Sequence, residues 1–350
     1  MNRLLPTILT GVLIALLLPV AASASVTEYR TPTSLSRPLG ITAGPDGALW
    51  FTEKDAGKIG RVTTGGSFSE FDLPTPDGGP QQITAGSDGA LWFTEKDAGS
   101  IGRVTTTGSV TEYPVPTAAS LPEGITVGPD GAIWFTERRF PGKIGRITTG
   151  GSFSEFTVPT PGAGPRDITT GPDGALWFTE DLLDRIGRVT TTGSFSEYPT
   201  PTPASGPTGI TAGPDGALWF TEFIADKIGR ITTAGSFSEF DLPTPDSFPF
   251  GIATGSDGAL WFTEFRNEIG RATTAGTFTE FPVPTSESVP AGIAAGSDGA
   301  LWFTEFTADK IGRITPPAPT SKDQCKGGAW RDFGQFKNQG QCVAAVASAR

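Results

Sequence analysis

Seven glutamates stand at one position of a repeated motif. Glu53, Glu95, Glu137, Glu180, Glu222, Glu264 and Glu305 each close a run of the form DGALWFTE or a near variant. Seven carboxylates on one rim could hold a cation or attract a cationic ligand. The plainer expectation is a structural ion pair across a hairpin, because Lys58, Lys143, Arg185, Lys227 and Lys310 follow in five of the repeats. Such rim pairs each contribute little. Two repeats break the pattern, with Ser100 opposite Glu95 and Glu268 opposite Glu264. Facing carboxylates repel, which raises one pKa or invites a metal. Glu264 with Glu268 is therefore the leading candidate site, with Arg266 between them in sequence as a neutralising charge.

A second set follows a proline that leads into each repeat: Leu39, Gln81, Glu123, Arg166, Thr208, Phe250 and Ala291. These positions vary within an otherwise near-identical unit, as ligand-facing positions do when the ligand differs around a ring. The chain contains no histidine. That excludes Ser-His-Asp and Cys-His nucleophile systems and histidine-ligated zinc. Any catalysis must rest on carboxylates, Lys, Arg, Tyr or an oxygen-held metal. The seven Asp-Gly pairs read as turns rather than calcium loops, because no further acidic residues follow at ligand spacing.

The elements that position these residues follow from the repeat. The motif begins at Asp46, Asp88, Asp130, Asp173, Asp215, Asp257 and Asp298, a period of about forty residues. Each unit reads as four short strands. In the first these are Gly40–Ala43, a turn at Gly44–Gly47, Ala48–Glu53, Lys58–Thr63 and Ser67–Leu73. Four strands per unit is one blade of a β-propeller, so the expected fold is all-β, a seven-bladed β-propeller spanning residues 25–315. The seventh unit stops at Thr315 without a fourth strand, while SVTEYR at Ser25–Arg30 matches SVTEY at Ser109–Tyr113. The N-terminal strand is thus expected to close the last blade and hide two sheet edges. The repeated tryptophan (Trp50 and its equivalents) belongs to the core, with a cation–π contact to the Arg of the IGR motif.

The flanks read differently. Residues 1–24 have the form of a secretory signal: Arg3, an apolar stretch, and Ala22-Ser23-Ala24 as a cleavage site. The protein is therefore expected to be secreted, with no transmembrane anchor. Its formal charge of −11 makes nucleic acid an unsuitable partner. Residues 316–321 form a Pro-rich linker to a basic module at 322–350. The cysteines Cys325 and Cys342 are expected to form one disulfide, as in other exported chains. The chain is expected to act as a monomer.

The combination GPDGALWFTE, KIGRITT, SEF/TEY followed by PTP, and P-x-GI resembles the streptogramin B lyases, also called virginiamycin B lyases, over Ser25–Thr315. The resemblance implies a seven-bladed propeller and a Mg-assisted elimination that opens a cyclic depsipeptide. It also implies histidines after the proline of the last two blades, where this chain has Phe250 and Ala291. Val289 stands where a metal-holding glutamate is implied, which leaves Glu305 as the remaining match. The tail CKGGAWRDFGQFKNQGQCV resembles a short two-cysteine module of secreted bacterial proteins.

Three functions follow. The first is a non-catalytic extracellular binding or scaffold protein for a small molecule, peptide or cell-envelope ligand. The second is a lyase with a histidine-free site rebuilt from Glu264, Glu268, Glu305 and Arg266, the three glutamates serving as magnesium ligands. The third is a metal-dependent lactonase-like hydrolase. For that role the inner strands offer mainly Thr42, Thr84, Thr126, Ala253 and Ala294.

Overall fold

A computed structural model describes residues 24–317, 322–326 and 339–348. The signal-like segment, except Ala24, and most of the Pro-rich linker lie outside them. The described strands form seven four-stranded antiparallel sheets. In blade one the strands are Pro38–Ala43, Leu49–Glu53, Lys58–Val62 and Phe68–Asp72, within a residue or two of the sequence expectation. In each blade the second strand is buried along its whole length, as its Leu-Trp-Phe run demands. It lies between neighbours in its own sheet, and its two faces meet the adjoining blades.

Close packing explains the invariant glycine of IGR. Gly60 sits opposite Phe51 in register, and a Cβ there would lie 2.1 Å from the Phe51 ring. The Asp-Gly turn does more than reverse the chain. Asp46 accepts hydrogen bonds from Trp50 Nε1 (3.0 Å) and Arg61 Nε (2.7 Å), and the Arg61 guanidinium stands 5.9 Å from the Trp50 ring centre. The same Asp–Trp–Arg triangle recurs in all seven blades. One carboxylate thereby satisfies the single donor of a fully buried indole, which would otherwise be orphaned.

Two contacts tie blade to blade. The first starts from the threonine of the inner strand pair: Thr52 Oγ1 accepts from Gly40 N and donates to Gln81 O of the next blade. The second is a clamp. Glu70, on the outer strand, accepts from both the backbone N–H (2.9 Å) and the hydroxyl (2.6 Å) of Thr33, in the loop leading into the blade. Glu112, Glu155, Glu197, Glu239 and Glu280 grip Thr75, Thr117, Thr160, Thr202 and Thr244 in the same way.

The seventh clamp closes the circle. The N-terminal strand Val26–Arg30 pairs antiparallel with Lys310–Ile314, with Val26 opposite Ile314 and Arg30 opposite Lys310. Its Glu28 grips Thr285, at 2.9 Å from the amide and 2.8 Å from the hydroxyl. Tyr29 stacks on Trp302 as the outer-strand aromatics do in other blades. In the tail, a disulfide joins Cys325 to Cys342 on the helix Gln339–Ser348, and both cysteines are buried with Val346. Among the described residues no helix is long and apolar enough to cross a membrane.

Removing residues 25–30 takes away the outer strand of blade seven and the Glu28 clamp together. The expected outcome is a lower and broader thermal unfolding transition, read by circular dichroism. A transition that does not move would show that the ring closes without this strand.

A mixed mouth and a ring of buried carboxylates

The loops after the second strands and those leading into the first strands meet around the axis. There they enclose a cavity of about 340 Å³, within the size range of small-molecule sites. Of the positions after proline, Leu39, Gln81, Glu123, Arg166, Thr208 and Phe250 line it, whereas Ala291 is buried at 1% exposure outside the lining. The lining also draws on the residue after six of the seven recurring glutamates: Lys54, Lys96, Arg138, Phe223, Phe265 and Phe306. Sequence reasoning missed this second set. The signal was there, since the position reads Lys, Lys, Arg, Asp, Phe, Phe, Phe around the ring.

The mouth is two-sided. Blades five to seven supply aromatic rings, and Phe250 lies 4.8 Å from Phe265 and 6.4 Å from Phe223, centre to centre. Blades one to four supply charge. Glu123 pairs with Lys96 and Arg138, and Asp181 holds Arg138 (2.6 Å) and Arg166 (3.0 Å). Burial opposes ionisation of Glu123, but Arg138, Lys96 and Arg166 outweigh it and hold its pKa below the ordinary value. Asp167 also lines the cavity, and burial raises its pKa to about 6 despite hydrogen bonds from Ile210 N and Ile168 N. Arg166 bridges the halves, its guanidinium 5.1 Å from the Phe250 ring centre. Four cations against two carboxylates in the lining give a basic patch on an acidic protein.

The seven recurring glutamates are not at this mouth. All are buried, and neither carboxyl oxygen of any of them has a hydrogen-bond partner. The expected ion pair with the facing base is not made, although the register is as expected, with Glu53 opposite Lys58. Lys58 bonds Asp72 instead, Lys227 bonds Asp241, and Lys143, Arg185 and Lys310 reach Glu155, Glu197 and Glu28. These outer-strand carboxylates are more exposed, so the cation keeps its hydration while pairing.

Each buried glutamate therefore sits beside the clamp glutamate of its own blade. Burial raises Glu53 to about 8, and the neighbouring Glu70 charge adds to this. The other six are likewise raised to about 8, with burial the largest cause. In blades three and seven the clamp members, Glu155 and Glu28, shift the other way. Burial works against Glu28, but hydrogen bonds from Lys310 and Thr285 hold it below its usual value. In these two pairs, Glu137 with Glu155 and Glu305 with Glu28, the neighbouring carboxyls are pushed in opposite directions.

Blade six differs. Glu264 faces Glu268 in register, as the sequence implies, and Glu280 joins them, so that one oxygen from each lies within 4.8 Å of the others. Arg266 does not neutralise this group. It is exposed, pairs with Asp246 at 3.4 Å, and stands 5.8 Å from the Phe248 ring centre. Glu305 is fully buried beside Glu28 and Lys310, and the next residue, Phe306, lines the mouth in its place.

The closed ring of seven four-stranded sheets, open at an axial mouth, defines the class: a seven-bladed β-propeller. Comparison with known proteins narrows the class. The Virginiamycin B lyase family matches residues 19–180 and 139–322, and the chain belongs to that family. It is 44% identical to a streptogramin B lyase structure, with a TM-score of 0.80, over 83% of this chain and 97% of the other. A catalytically inactive histidine-to-alanine variant of virginiamycin B lyase from Staphylococcus aureus, solved with quinupristin, is 43% identical, with a TM-score of 0.80. That alignment covers 84% of this chain and 99% of the other. A virginiamycin B lyase from Saccharopolyspora erythraea is 48% identical over 44 residues, only 13% of this chain and 15% of that relative.

The buried glutamates give a pH prediction. Their folded pKa of about 8 exceeds the ordinary 4.5, so the native state holds protons that the unfolded chain has lost. The stability they contribute is full below about 4.5 and is lost as pH rises through about 8. The melting temperature should fall between pH 5 and pH 9. In Glu137→Gln, blade three should lose its share of this fall, so the variant melts higher than the parent at pH 8.5 and close to it at pH 4.5. Parallel profiles for parent and variant would mean that Glu137 is ionised in the native state.

Proposed function

We propose that the protein is a secreted, monomeric, non-catalytic binding member of its family, which takes an amphipathic small peptide or cyclic depsipeptide in the propeller mouth. The observation that carries this reading is the divided lining: rings of Phe223, Phe250 and Phe265 on one side, Lys96, Arg138 and Arg166 on the other. An apolar or aromatic ligand face suits the first. Carbonyl oxygens or an anionic group suit the second. The ligand-bound structure of an inactive family variant supports the idea that this mouth can bind without the family's base.

The mouth does not fit magnesium at the positions the family resemblance implies. Val289 and Ala291 offer no ligand atom, Phe250 offers none, and Glu305 is buried away from the lining. Loss of a general base alone costs about 10²–10⁴ in rate. The Cys325–Cys342 disulfide supports an oxidising, extracellular setting.

Mass spectrometry of a streptogramin B antibiotic incubated with the protein, with and without Mg²⁺, tests the non-catalytic part. The expected result is intact antibiotic. A linearised product that requires Mg²⁺ would make the protein a lyase with a histidine-free site. Calorimetry with the same antibiotic tests binding. Phe265→Ala and Arg166→Ala should each weaken it about tenfold, the equivalent of ~1.4 kcal/mol. Saturating antibiotic that produces no heat and no shift in melting would remove the depsipeptide as ligand.

A further inference from the structure

We propose that blade six binds a divalent cation, calcium in preference to magnesium, between Glu264, Glu268 and Glu280. One oxygen from each of the three carboxylates lies within 4.8 Å of the other two. They come from three adjacent strands of one sheet: Leu260–Glu264, Glu268–Ala272 and Phe278–Pro282.

Clustered acids alone would not carry the argument. The second observation is the state of Glu264. It is 0% exposed, its two oxygens have no hydrogen-bond partner, and Oε1 is turned in against the backbone of Gly270. Glu268 Oε2 is likewise buried without a partner. These are desolvated acceptors gathered in one place, an arrangement that a cation resolves.

The other blades show what normally occupies this place. Where blade six has Glu268, five blades have Lys or Arg, whose charged end reaches an outer-strand carboxylate: Lys58 to Asp72, Lys143 to Glu155, Arg185 to Glu197, Lys227 to Asp241, Lys310 to Glu28. Blade two has Ser100 there, which removes the cation but adds no third acid. Only blade six reverses the sign. Its outer-strand partner is Pro282, as in blades two and four, and its nearby Arg266 is turned to Asp246. A bound cation would restore the positive charge that the lysine supplies elsewhere, in the same place relative to the clamp glutamate. Glu280 meanwhile keeps its hold on Thr244, whose hydroxyl donates at 2.6 Å and fixes the carboxylate.

Calcium suits this group better than magnesium. Calcium accepts irregular sets of carboxylate oxygens at about 2.3–2.6 Å, as three side chains from adjacent strands would supply. Magnesium demands near-ideal octahedral geometry and gives up its water reluctantly. The site is separate from the mouth, but Phe265 of the lining directly follows Glu264, so the cation would brace the aromatic half.

The test is isothermal calorimetry of the chelator-treated full chain with CaCl₂ and MgCl₂ at pH 7.5, paired with thermal unfolding. One calcium per chain is expected, with Kd of about 1 mM or tighter, and with a higher melting temperature in calcium. Magnesium should bind at least tenfold more weakly. Glu268→Lys recreates the pattern of the other blades. It should abolish calcium binding while melting, without calcium, at or above the parent. Glu268→Gln, which preserves shape, should weaken binding at least a hundredfold. No calcium binding by the parent up to ~10 mM would overturn the proposal and leave the carboxyls neutralised by protons. So would calcium binding that Glu268→Lys and Glu268→Gln leave intact, because the ion would then sit elsewhere.

Discussion

The ring depends on a carboxylate that takes two hydrogen bonds from one threonine. In each blade the outer-strand glutamate, Glu70 in the first, seizes the amide and hydroxyl of the loop that brings the chain in. That loop joins two blades, so the grip fixes the angle between them as well as the loop itself. The acceptor must be ionised to hold two donors well. Its charge then adds to the effect of burial on its neighbour Glu53, whose pKa both raise. The clamp and the raised pKa of the inner glutamate are thus two sides of one arrangement, repeated seven times. Blade six adds a third carboxylate to the pair, which explains why it stands apart from its sisters.

Much of the fold was legible in the sequence because the repeat is nearly exact in spacing. Turn chemistry at Gly44–Gly47, the apolar Leu49-Trp50-Phe51 run and the match between SVTEYR and SVTEY determine strands, blades and closure with no tertiary information. What the sequence could not convey is which partner a charged group chooses. Lys58 does face Glu53, yet it bonds Asp72, because register fixes neighbours and solvation decides among them. Glu70 looks like one polar residue of an alternating strand, and its partner Thr33 is 37 residues away. No local pattern links them.

The candidate site was legible in part for a related reason. Variation inside a repeat singles out positions released from the common framework, and that reasoning found Arg166 and Phe250 at the mouth. Applied to the residue after each glutamate, it also finds Lys96 and Phe265. Ala291 shows the limit, since it occupies a varying position yet is buried away from the lining. Variation reports freedom from the repeat, and only the fold tells which freedoms face the axis. The pair Glu264 and Glu268 was visible because a hairpin sets them opposite one another. Glu280 was not, because it belongs to the following strand.

The closure of blade seven by Val26–Arg30 orders events during biosynthesis. The first strand to leave the ribosome is the one that must wait longest, since its partner Lys310–Ile314 is made after every other blade. Blades one to six can each form from contiguous chain as they emerge. Until the seventh arrives, the early strand keeps an unpaired edge and Glu28 has no threonine to hold. Near-identical blades make that interval hazardous, because the outer edge of any sister's third strand offers a similar template. The early strand thus stays open to exchange between copies until Lys310–Ile314 emerges to pair with it.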